Sequence, residues 1–141
     1  MTIDIFDSIS PLDYRYGRTE IIRKLSKYLS ENAKVKYQAM VECAAAKVLE
    51  KKGICPKRAA EEICAACQKI SASEVYEEEE KTKHDIRALA NCIRNRVSEA
   101  AKPFVHFGLT SYDVVNTADA LRYKECAEAV IIPALLGLEK T

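Results

Sequence analysis

The stretch T-K-H-D-I-R-A-L-A-N-C-I-R-N-R-V, residues 82–97, decides the fold class. Its apolar side chains recur every three or four residues, which is the period of one face of an α-helix. The members of this stripe are Ile86, Leu89, Ala90, Ile93 and Val97. Thr82 and Asp85 have the spacing of a capping box just before the stripe, so the pattern predicts a helix that opens at Thr82 and is broken at Lys102-Pro103.

Helical patterns continue on both sides of this stretch. Towards the N-terminus, the expected starts are Thr19 for a first helix, Asn32 for a longer second helix that Gly53 stops, Pro56 for a third that ends near Ile70, and Ser73 for a short fourth. Towards the C-terminus, the loop P-F-V-H-F-G-L leads to a long helix from Thr110, and Pro133 should kink that helix or end a turn because it lacks a backbone donor. With only 4 Gly and 4 Pro in 141 residues, the sequence predicts an all-α fold.

The overall composition excludes several classes of function. A net charge of +1 gives no electrostatic support for nucleic-acid binding. No run of about 18 apolar residues is present, so no membrane span is expected. The first ten residues carry two Asp and no basic segment, which argues against a secretory signal and makes the cytoplasm the expected compartment.

The six cysteines are predicted to be reduced. Four of them, Cys43, Cys64, Cys67 and Cys92, fall among alanines inside helical patterns, where a thiol behaves as a small buried side chain. Cys64 and Cys67 form a C-A-A-C pair, and a metal or redox site there is the weaker alternative because no second Cys or His pair accompanies it. No metal site is expected.

Three segments carry residues suited to anionic ligands. Arg15 and Tyr16 offer a guanidinium fork and an aromatic hydroxyl, although a surface Arg beside a packing Tyr would look the same. In the second segment, Lys83 and His84 are predicted to lie in a first helical turn, where free backbone N–H groups favour an anion. A plain capped helix with a solvent-facing His is the alternative.

The third segment is H-F-G-L-T-S-Y-D-V-V-N-T, residues 106–117. Gly108 permits a tight turn, and Thr110 and Asp113 have capping-box spacing, which places Thr110 and Ser111 at the start of the long helix. Hydroxyls and free amides together form a cradle for carboxylate or phosphate, with helix capping alone as the alternative. The three segments together indicate a helical domain that binds a polyanion.

Residues 106–117 closely resemble the first conserved block of the fumarase/aspartase superfamily, in the G-x-T-S-x-D-x-x-x-T form of its adenylosuccinate lyase and cycloisomerase branches. K-T-K-H-D-I-R-A-L-A-N-C-I resembles the T-x-H-D helix start of adenylosuccinate lyases, and P-L-D-Y-R-Y-G resembles their N-terminal Arg-Tyr motif, often P-x-D-G-R-Y. Tyr14 stands where many relatives have Gly. The three motifs occur in the family's order and cover nearly the whole chain.

The resemblance implies an all-α fold, with residues 1–111 as the helical N-terminal domain and residues 112–141 as the first long helix of a central bundle. It implies cleavage of adenylosuccinate to AMP and fumarate, and of the succinyl carboxamide ribotide SAICAR to AICAR and fumarate, by β-elimination without a cofactor. Arg15 and Tyr16 would then hold the nucleotide, Thr110 and Ser111 the succinyl carboxylates, and Lys83, His84 and Asp85 would line the site, with His84 assisting catalysis.

The family also assembles as a homotetramer in which several subunits build each active site. Its second His region and its G-S-S-x-M-P-x-K-x-N-P loop have no counterpart in these 141 residues. The apolar pattern I-I-P-A-L-L-G-L continues close to the last residue, which suggests a truncated helix. The chain alone is therefore expected to be inactive. The alternatives are another lyase or a cycloisomerase of the superfamily, or a non-catalytic helical interaction module.

Overall fold

The computed structural model describes residues 5–9 and 19–140, and these residues form helices and no strand. The helices are α1 (Glu20–Leu29), α2 (Glu31–Lys51), α3 (Lys57–Cys67), α4 (Ala72–Thr82), α5 (Asp85–Arg94), α6 (Ser111–Cys126) and α7 (Ile132–Leu138). Two short 3₁₀ turns, Ile5–Asp7 and Lys102–Phe104, and one π turn, Ala127–Ile131, accompany them. The all-α prediction is confirmed.

The main core lies where α2, α3, α4 and α5 pack against one another. Ile63 of α3 and Leu89 and Ile93 of α5 are completely buried there. Alanines on the facing helices, such as Ala39 and Ala46 of α2, allow the helix axes to approach closely. Burial of each large aliphatic side chain stabilises the fold by about 1.5–3 kcal/mol, so the stripe found in residues 82–97 is the face that fixes α5.

A second, smaller core fixes α6 on α2. Ala33 and Tyr37 of α2 pack against Ala118 of α6, and the Tyr37 hydroxyl donates to the Glu125 carboxylate. Arg122 of α6 is buried and donates to the Tyr28 carbonyl at 3.2 Å. These contacts attach the long helix to the rest of the described chain.

Several helices begin or end away from the predicted residue. Ser30, not Asn32, caps α2, because its hydroxyl accepts the Ala33 N–H at 3.2 Å while the Asn32 amide donates to Asp7 at 2.7 Å. Ser71, not Ser73, caps α4, which is longer than expected. Helix α5 ends at Arg94, well before Lys102-Pro103.

The prediction that all six cysteines are reduced is wrong for one pair. Cys43 of α2 and Cys64 of α3 are joined by a disulfide, and their Cα atoms lie 4.7 Å apart. Two helices that pack through alanines come close enough for this bond. Cys55, Cys67, Cys92 and Cys126 remain free and buried.

The chain passes through Pro133 by way of the π turn. The Ile132 N–H donates to the Ala127 carbonyl, five residues back, immediately before the proline ring. In a regular α-helix, Pro133 has no N–H to donate to the Ala129 carbonyl, and its ring would clash with that carbonyl. The wider π turn moves the preceding carbonyls away from the ring. From the last residue of the turn onwards, the large apolar side chains are exposed: Ile131, Ile132, Leu135, Leu136 and Leu138.

No helix in the described part of the chain is both long enough and apolar enough to cross a bilayer.

Candidate functional site

The structure brings the starts of α5 and α6 together. His84 Nε2 lies 3.3 Å from Ser111 Oγ, although 27 residues separate the two along the chain. Both groups are polar, both sit at the N-terminal end of a helix, and neither is buried. An imidazole and a hydroxyl therefore face one another beside two sets of first-turn amides.

The start of α5 differs from the predicted capping box. Thr82 is the last residue of α4, and its hydroxyl donates to the His84 carbonyl at 3.0 Å instead of capping a helix. His84 itself is the N-cap of α5, because its Nδ1 accepts the Arg87 N–H at 3.4 Å. Asp85 Oδ1 accepts the Ile86 N–H at 2.7 Å and lies 3.4 Å from His84 Nδ1. His84 therefore has a fixed position at the helix start, with its ring between Asp85 and Ser111.

Lys83 connects α4 to α5 in a left-handed conformation. Its φ is +52°, and its N–H donates to the Glu79 carbonyl at 2.7 Å, which closes the end of α4. The prediction that Lys83 lies in the first turn of α5 is wrong, because it is the C-cap of α4. A left-handed conformation costs a residue with a side chain more free energy than it costs Gly. The sharp turn at Lys83, which places His84 at the start of α5, is therefore held by the contacts around it.

The start of α6 agrees with its predicted capping box. Thr110 Oγ1 accepts the Asp113 N–H at 3.4 Å, and Asp113 Oδ2 accepts the Thr110 N–H at 2.7 Å and the Thr110 hydroxyl at 2.9 Å. The Thr110 backbone N–H, followed by its hydroxyl and by the field of His106, lowers the pKa of the Asp113 carboxyl below its ordinary value. Ser111 is left as the first helical residue, with its own N–H outside the helical hydrogen-bond ladder.

The loop before α6 contains two residues with positive φ. Gly108 has φ of +73°, as the sequence predicts for a tight turn, and His106 has φ of +61° although it carries a side chain. The His106 N–H donates to Glu42 Oε2 at 3.1 Å, and His106 Nδ1 lies 2.6 Å from Glu42 Oε1. His106 was part of the quoted motif but not of the predicted site, and Glu42 was not predicted at all.

A signal for Glu42 is nevertheless present in the sequence. Residues 35, 39, 42 and 46 fall on one face of α2, and all four are buried. Three of them are Val or Ala, and the fourth is a glutamate that is 2% exposed. A carboxylate on a core stripe needs partners, so Glu42 indicates a polar contact inside the fold.

Arg15 and Tyr16 lie outside the described residues. Of the three predicted segments, the second and the third meet, through His84 and Ser111. In residues 5–9 and 19–140 no group of three His, Cys, Asp or Glu side chains is arranged to hold a metal ion.

This arrangement suits an anionic organic ligand. The uncapped first-turn amides at two helix starts, the Ser111 hydroxyl and the exposed Lys83 ammonium can donate to carboxylate or phosphate, whereas the Thr110 hydroxyl already donates to Asp113 Oδ2. An imidazole at the same place is a side chain that can give or take a proton in general acid–base catalysis. The fold and this site together define an all-α domain with polar helix starts suited to an anionic ligand.

The comparisons with known proteins make the assignment specific. A family model described as a lyase matches residues 14–141, so the chain belongs to that lyase family, within the fumarase/aspartase superfamily. It is 37% identical over 125 residues to an adenylosuccinate lyase of Methanocaldococcus jannaschii, covering 87% of this chain and 26% of that protein. It is 34% identical over 145 residues to an adenylosuccinate lyase of Dictyostelium discoideum, covering 91% of this chain and 30% of that protein.

The fold has a solved counterpart. The crystal structure of a fumarate lyase from Mesorhizobium sp. BNC1 superimposes with a TM-score of 0.64 at 25% identity, covering 73% of this chain and 25% of that one. The chain spans between a quarter and a third of the length of the curated relatives it matches. The predicted all-α fold of the fumarase/aspartase superfamily is confirmed.

Proposed function

We propose that the full-length protein containing this chain cleaves adenylosuccinate to AMP and fumarate, and SAICAR to AICAR and fumarate, in purine nucleotide biosynthesis. The observation that carries the proposal is the 3.3 Å contact between His84 Nε2 and Ser111 Oγ. It joins two of the three motifs that resemble those of adenylosuccinate lyases, and it supports a shared substrate pocket. The relatives at 34–37% identity support the same reaction.

In this proposal the reaction is a β-elimination. A base removes the proton from the carbon next to a succinyl carboxylate, the C–N bond breaks, a C=C bond forms in fumarate, and an acid protonates the departing nitrogen. Thr110 and Ser111 hold the succinyl carboxylates, and Lys83 and Asp85 line the pocket. His84 contacts the substrate and assists the proton transfers, while the principal acid and base come from residues beyond this chain.

Further parts of the proposal concern the other residues and the assembly. Arg15 and Tyr16 hold the nucleotide, and no cofactor takes part. Residues 1–111 form the N-terminal domain and residues 112–141 begin the central bundle of a cytoplasmic homotetramer. The exposed apolar side chains of Ile132–Leu138 support such an assembly, because a bundle would cover them.

The test uses the full-length protein and the substitution His84→Gln. Gln keeps a polar group at the helix start but cannot exchange a proton, so kcat for adenylosuccinate should fall by about 10²-fold or more. Fumarate release is followed by ultraviolet absorbance, and circular dichroism checks the helical content. Turnover close to wild type would remove His84 from the chemistry.

A matched pair of serines tests the carboxylate contact. Ser111→Ala should raise KM for adenylosuccinate, because it removes a donor at the start of α6. Ser73→Ala is the control, since Ser73 also lies in the first turn of a helix and is exposed. Equal effects of the two substitutions would contradict a substrate contact for Ser111.

The fumarate lyase counterpart favours a second candidate, another lyase of the superfamily with a different succinyl substrate. Assaying the full-length protein with adenylosuccinate, SAICAR and argininosuccinate separates the two candidates. Fumarate release from the first two compounds alone supports the main proposal. In the same assay, residues 1–141 by themselves should release no fumarate from any of them.

A further inference from the structure

Glu42 is the one glutamate on the buried face of α2, and its carboxylate is 2% exposed. No Lys or Arg among the described residues forms an ion pair with it; its partner is His106. Burying a carboxylate is costly unless hydrogen bonds replace the lost water. The free energy of placing Glu42 inside the fold therefore depends on its two contacts with His106.

Those two contacts fix His106 at two points. One carboxylate oxygen accepts the backbone N–H at 3.1 Å, and the other lies 2.6 Å from ring atom Nδ1. An ionised carboxylate only accepts hydrogen bonds, so beside an ionised Glu42 the 2.6 Å contact places the ring proton on Nδ1. Nε2 is then the ring nitrogen without a partner in the described part of the chain. The same pair thus sets the backbone position, the ring orientation and the location of the ring proton.

The backbone of His106 needs such a restraint. Its φ of +61° is left-handed, a conformation that a residue with a side chain adopts only when its surroundings hold it. Five residues later, Ser111 begins α6 and its hydroxyl contacts His84. Arg94 holds the neighbouring Val105 carbonyl at 3.1 Å, so the loop is anchored to α2 and α5 just before it reaches the site.

We propose that Glu42 is a positioning residue: its buried carboxylate holds His106 in one ring orientation with the proton on Nδ1, and thereby places the loop that presents Thr110 and Ser111. Its importance for turnover rests on the proposed function, whereas the ring geometry does not. Because its side chain is 2% exposed and contacts His106, Glu42 acts through His106.

The spectroscopic test uses the 141-residue chain with ¹⁵N-labelled histidine. The chain contains two histidines, so the His84→Gln variant assigns the ring signals. We expect a protonated Nδ1 for His106 in the wild-type chain. A His106 ring with an unprotonated Nδ1 would overturn the proposal, and this measurement does not depend on whether any Glu42 variant folds.

Glu42→Gln then tests the positioning. Gln has one side-chain oxygen, so one of the two contacts is lost and an amide N–H faces a donor. The His106 ring signals and the backbone amide signals of residues 105–111 should shift. Glu50→Gln is the matched control, because Glu50 also lies on α2 and is partly exposed, and it should leave these signals in place.

In the full-length protein, Glu42→Gln should lower kcat for adenylosuccinate at least tenfold per folded active site, while Glu50→Gln stays within twofold. Wild-type turnover in a folded Glu42→Gln protein would overturn the positioning role. If the wild-type full-length protein releases no fumarate, the proposed function fails, and the ring and loop signals alone decide whether Glu42 positions the loop.

Discussion

Removing the disulfide between Cys43 and Cys64 should destabilise the fold by about 3 kcal/mol. The bond joins residues 21 positions apart on α2 and α3. Cross-linking a chain removes entropy from its unfolded state, and for a closed loop of roughly 20 residues this amounts to about 3 kcal/mol at 25 °C. For a chain of this size the loss corresponds to about 10 °C in Tm.

Other thiols should not compete for this bond. Cys67 lies one turn after Cys64, but burial, helped by the nearby Glu42 charge, raises the pKa of its thiol to about 12. The thiolate is the attacking species in disulfide exchange, so at neutral pH Cys67 exchanges slowly. We therefore expect peptide mapping to find Cys43 joined to Cys64 alone.

The assay is thermal unfolding with and without dithiothreitol, together with a thiol titration in denaturant. The oxidised chain should show four free thiols and the reduced chain six, because four of the six cysteines are free in the structure. The Cys43→Ala/Cys64→Ala variant is the control, and its Tm should not respond to reductant. Six free thiols in protein purified without reductant, or equal Tm values in both conditions, would refute the reasoning.

Two further outcomes are expected. The pKa of Asp113 is lowered in the folded state, so its stabilising contribution should be fully present above its ordinary pKa of 3.8 and lost as the pH falls through the lowered value. In acid unfolding, Asp113→Asn should lack this pH-dependent loss of stability. Identical pH profiles for the variant and the wild type would contradict the prediction. Gln38 is 2% exposed, and its side-chain nitrogen has no hydrogen-bond partner among the described residues. Gln38→Met removes this buried donor, so the free energy of unfolding measured in urea titrations should rise by about 1 kcal/mol. A loss of stability would show that the amide is hydrogen-bonded in the folded protein.

The existence of the helices could be predicted because each carries an apolar face with a helical period. Ile86, Leu89, Ala90 and Ile93 are all buried, as the stripe in residues 82–97 indicates. The ends of the helices are harder to predict, because several residues able to cap a helix stand close together in the sequence. The choice between Ser30 and Asn32 depends on Asp7, which takes the Asn32 amide and is distant along the chain.

The candidate site was predicted in part. The capping box of Thr110 and Asp113 is local, so sequence spacing was sufficient to find it. The start of α5 was misassigned because a left-handed Lys83 ends α4 only two residues before α5 begins, and no local pattern marks a lysine for that conformation. The contact between His84 and Ser111 spans 27 residues, so spacing alone could not predict it.

The contacts between distant segments escaped prediction for the same reason. Glu42 and His106 are 64 residues apart, and Cys43 and Cys64 belong to different helices. Each pair forms because tertiary packing brings the two segments together. The charge of Glu42 on the buried face of α2 indicates from the sequence that a polar partner exists, but it does not indicate which residue that partner is.

The number of residues in the π turn Ala127–Ile131 sets the direction in which the side chains of the last helix point. Each residue of an α-helix advances the side-chain direction by about 100°, so deleting one residue between 127 and 131 would turn Leu135 and Leu136 by roughly that angle about the helix axis. A single-residue insertion or deletion at this turn therefore rotates the last helix about its own axis. It changes which neighbour the exposed leucines can meet while leaving their identities untouched.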